Sequence, residues 1–242
     1  MRTGNPALTA KTFSGFRTTQ NAMTVSGTVN KTFFLLVLLV ASAGYTWKSF
    51  YDTYEVNSAW IWGPLLGALA VAIAVVIRKE WAPVLAPAYA VLEGLALGGI
   101  SVQFEVMYPG IVIQAVGLTF GTLFCLLAAY RAGVIRATEN FKLGVVSATG
   151  ALALFYLVSF GLSFFGIRIP FLHESGPIGI LFSIGVTVLA ALNLVLDLDF
   201  IEDGERRGAP RFMEWYAAFG LIVTLVWLYL EILRLLAKTR ER

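Results

Sequence analysis

The chain has 242 residues, 58% of them hydrophobic and only 14% charged, with a formal net charge of +3. Soluble domains carry roughly 25% charged residues, so the composition argues against a soluble domain and leaves no expectation of a nucleic-acid partner. One cysteine, Cys125, excludes a disulfide framework or cysteine-based zinc site, and one histidine, His173, argues against haem or histidine-rich metal chemistry.

The first thirty-one residues, "MRTGNPALTAKTFSGFRTTQNAMTVSGTVNK", are polar and lack an apolar core of signal-peptide length. Residues 1–31 therefore read as a cytoplasmic arm, either a loose tail or an amphipathic segment docked on the membrane. Seven apolar segments follow, at 32–50, 58–78, 82–103, 109–130, 143–166, 177–201 and 213–236. Each is near the length of about 20 residues that crosses a bilayer core. Connections are short, so residues 32–242 are expected to form one all-α polytopic membrane domain of seven transmembrane helices.

Positive charge favours the cytoplasmic side. With the N-terminus inside, the inner segments hold Arg2, Lys11, Arg17, Lys31, Arg78, Lys79, Arg131, Arg136, Lys142, Arg206, Arg207 and Arg211. The outer loops hold only Lys48 and Arg168. The expectation is a multi-pass protein of the cytoplasmic (inner) membrane with its N-terminus inside. Arg234, Lys238, Arg240 and Arg242 disagree, because they fall outside if the last segment crosses and inside if it is re-entrant. A full crossing is favoured, since 213–236 is long enough at about 1.5 Å per residue. Trp47, Trp60, Trp62, Trp81 and Trp215 fall at the proposed interfaces, whereas Trp227 is mid-span.

Small residues recur every fourth position at Ala86, Ala90, Gly94 and Gly98 in the third segment, and at Gly117 and Gly121 in the fourth. Such stripes let helices approach closely in lipid; a narrow pore wall is the other reading. Gln114, Ser147, Thr149 and Asn193 are expected to hydrogen-bond between helices.

Ionisable groups inside a membrane are functional candidates. The acids are Glu93 in the third segment, Asp197 and Asp199 in the sixth, and Glu214 and Glu231 in the seventh. Glu93 lies near mid-span, with Tyr89 one turn earlier as a hydrogen-bond candidate. It reads either as a neutral carboxyl bonded to a neighbouring helix or as a conduction or proton-sensing group. Asp197 and Asp199 are two residues apart and point to nearly opposite sides of a helix. Asp197 shares a face with Asn193 and Ala190 and is the better candidate for the bundle interior, while Asp199 reads as the start of the hydrated loop. No Gly-x-Ser-x-Gly, HExxH or phosphate-cradling glycine loop is present, so no enzymatic activity is expected.

Several blocks taken together carry a family resemblance. "NPAL", "MTVSGTVNKTFFLLVLLVASAGYTW", "LEGLALGGIS", "ALNLVLDLDFIEDG" and "GAPRFMEWYAAFGLIVTLVWLYLEILRLL" resemble bacterial members of the Bax inhibitor family, the transmembrane Bax-inhibitor-motif superfamily. The resemblance implies six helices around a central seventh and a pH-sensitive calcium leak. It also implies a gate of two aspartates, one in the sixth helix and one in the seventh. The first corresponds to Asp197, with Ile201 four residues later and Gly204 seven later matching the pattern. For the second, matching "YLE" selects Glu231, whereas matching the helix ending at "ILR" puts Thr224 where the family has Asp. Glu231 would lie about 27 Å along the last helix and Thr224 about 16 Å, while Asp197 lies about 9 Å from the end of the sixth. Thr224 is thus nearer the right depth, and the two-aspartate switch is expected to be altered.

The leading expectation is a cation leak channel, with calcium as the permeant ion and no cofactor. Asp197 would be the gate and pH sensor. Asp199, Glu93, Asn193 and Thr224 would be cation-binding or gate-associated, and Glu231 a less favoured second acid. Asp197 and Asp199 would hold calcium weakly and transiently. The partners are the lipid bilayer and, in the alternative reading of a non-conducting regulator, other membrane proteins. A third reading is a proton-coupled transporter centred on Glu93.

Overall fold

A computed structural model describes residues 22–53, 59–163, 165 and 176–241. Among these residues the chain forms seven long helices: α1 (Val25–Thr53), α2 (Ala59–Ile77), α3 (Ala82–Met107), α4 (Ile111–Arg131), α5 (Glu139–Ser163), α6 (Pro177–Arg206) and α7 (Met213–Arg240). A single 3₁₀ turn, Lys79–Trp81, joins α2 to α3. Six helices are long and apolar enough to cross a bilayer, and the apolar part of α2, Ile61–Ile77, is shorter. The protein is an all-helical, multi-pass membrane protein.

Three boundaries differ from the apolar pattern. α1 begins at Val25, seven residues before the apolar run, because Thr24 caps it: the Thr24 hydroxyl accepts from the Gly27 N–H at 2.9 Å. Residues 22–31 are thus packed structure rather than arm, with Met23 and Thr28 buried; the expectation for residues 1–21 lies outside the described residues. α6 runs to Arg206 rather than ending near 201, carrying its acids within the helix. α7 continues unbroken for 28 residues and is long and apolar enough to cross a bilayer.

Packing divides the chain into two compact units. One takes Ile113–Asp199 and Thr224–Arg242; the other takes the described residues up to Val112 together with Phe200–Val223. In the second unit, α3 packs its small-residue stripe on α1. Ala86 and Ala90 are fully buried, and a methyl group on Gly94 or Gly98 would overlap the carbonyl oxygens of Leu39 or Ala43. The expected helix-packing role holds there. It fails in α4, where a methyl group on Gly117 or Gly121 would meet open space. The sequence spacing is the same, but among the described residues no atom comes within 4 Å of a methyl group at either position.

The turn after α6 is eased by Gly208, whose φ of +62° lies in the left-handed region that favours glycine. It places the Ala209 carbonyl to accept from the Met23 N–H at 2.6 Å, and an isolated bridge pairs Ala22 with Pro210. The start of α1 is thereby tied to the α6–α7 turn within one unit.

Candidate functional site

The 3.6-residue period of α6 puts Asn193 and Asp197 one above the other on one face. Both are buried, Asp197 completely and Asn193 to 2% exposure. The Asn193 Nδ2 donates to the Thr149 hydroxyl on α5 and to the Leu189 carbonyl, each at 2.9 Å. A carbonyl can only accept, so the second bond fixes which end of the amide is nitrogen. The amide oxygen, Oδ1, is left buried without a donor, and so are both carboxyl oxygens of Asp197. Thr224 of α7 lies beside that carboxyl, but not in a geometry that makes a hydrogen bond to either oxygen. The structure thus brings Asp197 and Thr224 together inside the first unit, with Asn193 one turn along the same face of α6 and bonded to α5.

Asp199 corrects the reading of it as the start of a hydrated loop. It sits within α6, and its Oδ2 meets the Lys142 ammonium of α5 at 2.8 Å, with Glu139 3.4 Å from the same ammonium. The apolar run had ended, but the helix had not, because a cation on a neighbouring helix compensates the acid. Its charge is therefore matched by a neighbouring cation rather than bare. Asp197 and Asp199 point to different sides, as their spacing implies, and meet different partners. Among the described residues no group of three or more His, Cys, Asp or Glu converges as a metal site.

Glu231 stands apart from Asp197. It lies seven residues beyond Thr224, about 10 Å further along α7. It accepts from Arg234 at 2.9 and 3.0 Å and from the Trp227 indole at 3.3 Å, with the Tyr156 hydroxyl also interacting. Trp227, mid-span by sequence, thus has a polar partner. Glu93 belongs to the second unit, where it is buried. Tyr89 packs its ring edge-on against Phe219 at 4.9 Å, and among the described residues no hydrogen bond joins it to Glu93. Gln114 does bond between helices, accepting from Arg240 at 3.0 Å, whereas Ser147 is exposed. His173 and the side chain of Trp60 lie outside the described residues.

Sequence reasoning named Glu214 among the acids but missed the partners that satisfy it. Glu214, in the first turn of α7, is 2% exposed. It is ion-paired with Lys31 and accepts from the backbone and hydroxyl of Thr24 at 2.9 and 3.1 Å. Glu205 accepts from the Val25 N–H at 2.9 Å, closing the start of α1 a second time. Gly27 leaves the room, since a methyl group there would overlap the Glu214 carboxylate. The one local signal was Thr24 ahead of a helix start; its partners lie some 190 positions away.

The sequence matches the family described as Bax inhibitor 1 like across residues 5–241. No curated protein and no solved structure matches the chain.

Proposed function

The chain belongs to the Bax inhibitor 1 like family, and on that premise we propose that it is a cation leak channel of the cytoplasmic membrane. Calcium is the ion to test first, and Asp197 is the gate and proton-responsive group. The observation that carries this reading is the Asp197 carboxyl, wholly buried with neither oxygen hydrogen-bonded. A buried carboxylate without partners is costly, so gaining or losing a proton or a cation there must shift the balance between arrangements of α6 and α7. Thr224, where the family has a second aspartate, makes this a one-acid gate, and Glu231 is spent on Arg234.

Seven crossings with the N-terminus inside are part of this reading, and the contacts around Met23 support them. The start of α1 and the end of α6 meet, so they lie on one side of the membrane. Six helices separate those points, and an even number of crossings returns the chain to the side it left. α2 must then cross despite its length; at 19 residues it spans about 28 Å, close to the roughly 30 Å of a bilayer core. The acid-rich, Arg206- and Arg207-bearing turn then shares the cytoplasmic side with the N-terminus, and six helices around a central seventh is the arrangement the family implies.

The test is calcium flux into liposomes containing the purified protein, measured across pH. Wild-type protein is expected to pass calcium in a pH-dependent way, and Asp197→Asn to change both the flux and that dependence. If the variant changes neither, Asp197 is not the gate.

A second reading has its own observation. Gly117 and Gly121 form a small-residue face on α4 that is exposed, as suits the docking of another protein's transmembrane helix. In a non-conducting regulator, Gly121→Leu would abolish co-purification of a membrane partner, and flux would not exceed that of empty liposomes.

A further inference from the structure

We propose that Glu93 is a proton-binding site in its own right, an acid that exchanges its proton within the second unit and is open to covalent capture by an apolar carbodiimide. Its neighbours on α3 fix where the side chain faces. Leu92 lies against Gly67 of α2 and Gly94 against Leu39 of α1. Tyr89, one turn before Glu93 on the same face, meets Phe219 of α7 edge-on. Glu93 therefore looks in between those helices and not into lipid. The Tyr89 phenol is close enough to interact with the carboxylate, yet among the described residues no hydrogen bond or ion pair reaches Glu93. Unlike Asp197, whose oxygens are sealed, it keeps 9% of its surface open, so a proton or a small reagent has a way in.

The polar groups around it in this unit are committed elsewhere. Where α1 meets α3 it brings Leu39, Ser42, Ala43 and Thr46, and the Ser42 and Thr46 hydroxyls donate to carbonyls of their own helix. α2 has no ionisable residue. Glu214 of α7 is tied to Lys31, and Tyr216 lies under the Lys79 ammonium at 5.8 Å. Arg78 rests over the Trp81 ring at 5.4 Å. Arg78, Lys79 and Glu80 all sit at the start of α3, about 20 Å short of Glu93. At its other end Glu105 accepts from the Gly110 and Val112 N–H groups. On α6, Asp203 is spent on Arg206 and Arg207 and Glu205 on Val25. An ionised Glu93 thus has no cation to meet it, and a bare carboxylate there is costly. Loss of its proton must be followed by water entering or by α3 shifting against α7. The site stands whether or not the protein conducts, because it concerns a proton on α3 and not what passes Asp197.

A carbodiimide reports that proton because it consumes it. The carboxylic acid adds across one C=N bond: its oxygen bonds to the central carbon and its proton goes to nitrogen. The O-acylisourea so formed rearranges to a stable N-acylurea with no atom lost. The experiment treats the purified full-length protein in detergent with dicyclohexylcarbodiimide over a pH series and locates the adduct by peptide mass. An adduct on Glu93 is expected, its yield falling about tenfold for each pH unit above the midpoint. Infrared difference spectra over the same series are expected to show a protonated-carboxyl C=O band that disappears as pH rises. That band is lost in Glu93→Gln and persists in Asp197→Asn. The proposal is overturned by the absence of an adduct on Glu93, by an adduct whose yield ignores pH, or by an infrared change undiminished in Glu93→Gln. A Glu93 that stays neutral only to pack helices gives the second of these results. Calcium flux unaltered in Asp197→Asn, with the Glu93 adduct intact, would instead sink the channel reading alone.

Discussion

Asp197 and Glu214 are both acids on long apolar helices, and both are almost wholly buried, yet their surroundings are opposite. Glu214 has a lysine, a hydroxyl and a backbone N–H, while neither oxygen of Asp197 has a hydrogen bond. Burial alone therefore does not say what an acid is for. A carboxylate whose lone pairs are all used holds elements together, and removing any partner is expensive. A carboxyl without donors contributes little to stability and is left able to respond to a proton or a cation.

This contrast can be broken most forcefully at Gly27. Gly27→Leu drives a side chain into the place of the Glu214 carboxylate and leaves Lys31 without its partner. The expected loss is about 3–5 kcal/mol, as for breaking a buried ion pair, read as a lower unfolding midpoint and a smaller monodisperse fraction in detergent. Glu214→Gln keeps acceptor and shape but removes the charge, and should cost about 1–2 kcal/mol by the same measurement. Asp197→Asn is expected to fall within about 1 kcal/mol of wild type or to be more stable. A loss at Asp197 as large as at Gly27 would mean that its carboxyl is a structural tie after all.

Smaller still should be the effect of Gly121→Leu, whose side chain enters open space on α4. Its midpoint should stay within about 0.5 kcal/mol of wild type, as for surface changes generally. Gly98→Leu, at the same kind of stripe on α3, must displace the backbone of α1 and should prevent stable folding.

The helices were legible because lipid demands long apolar runs, and that demand leaves its mark on every segment. Their ends were less so. α1 starts within polar sequence, where a Thr24 cap and tertiary partners replace hydropathy as the reason for helix. α6 outlasts its apolar run because Lys142, from another helix, compensates Asp199. The shared face of Asn193 and Asp197 follows from periodicity alone, and the depth of Thr224 from the rise per residue. What no local rule reveals is which helix lies across from a given residue. That is why the Lys31–Glu214 and Lys142–Asp199 pairs escaped notice, and why identical glycine spacing meant close packing in α3 and an open face in α4.

The contacts that close the start of α1 also order events during synthesis. Met23, Thr24 and Val25 emerge early, yet the groups that receive them, Ala209, Glu214 and Glu205, are made about 180 to 190 residues later. At the roughly 5–20 residues per second of translation, the first helix waits on the order of ten seconds or more in the bilayer with Lys31 unpaired. Only when the last hairpin arrives can this end of the protein close. A chain truncated before Glu205 would insert its early helices and still lack every group that closes the start of α1, and one truncated before Met213 would lack the Glu214 partner of Lys31 and Thr24.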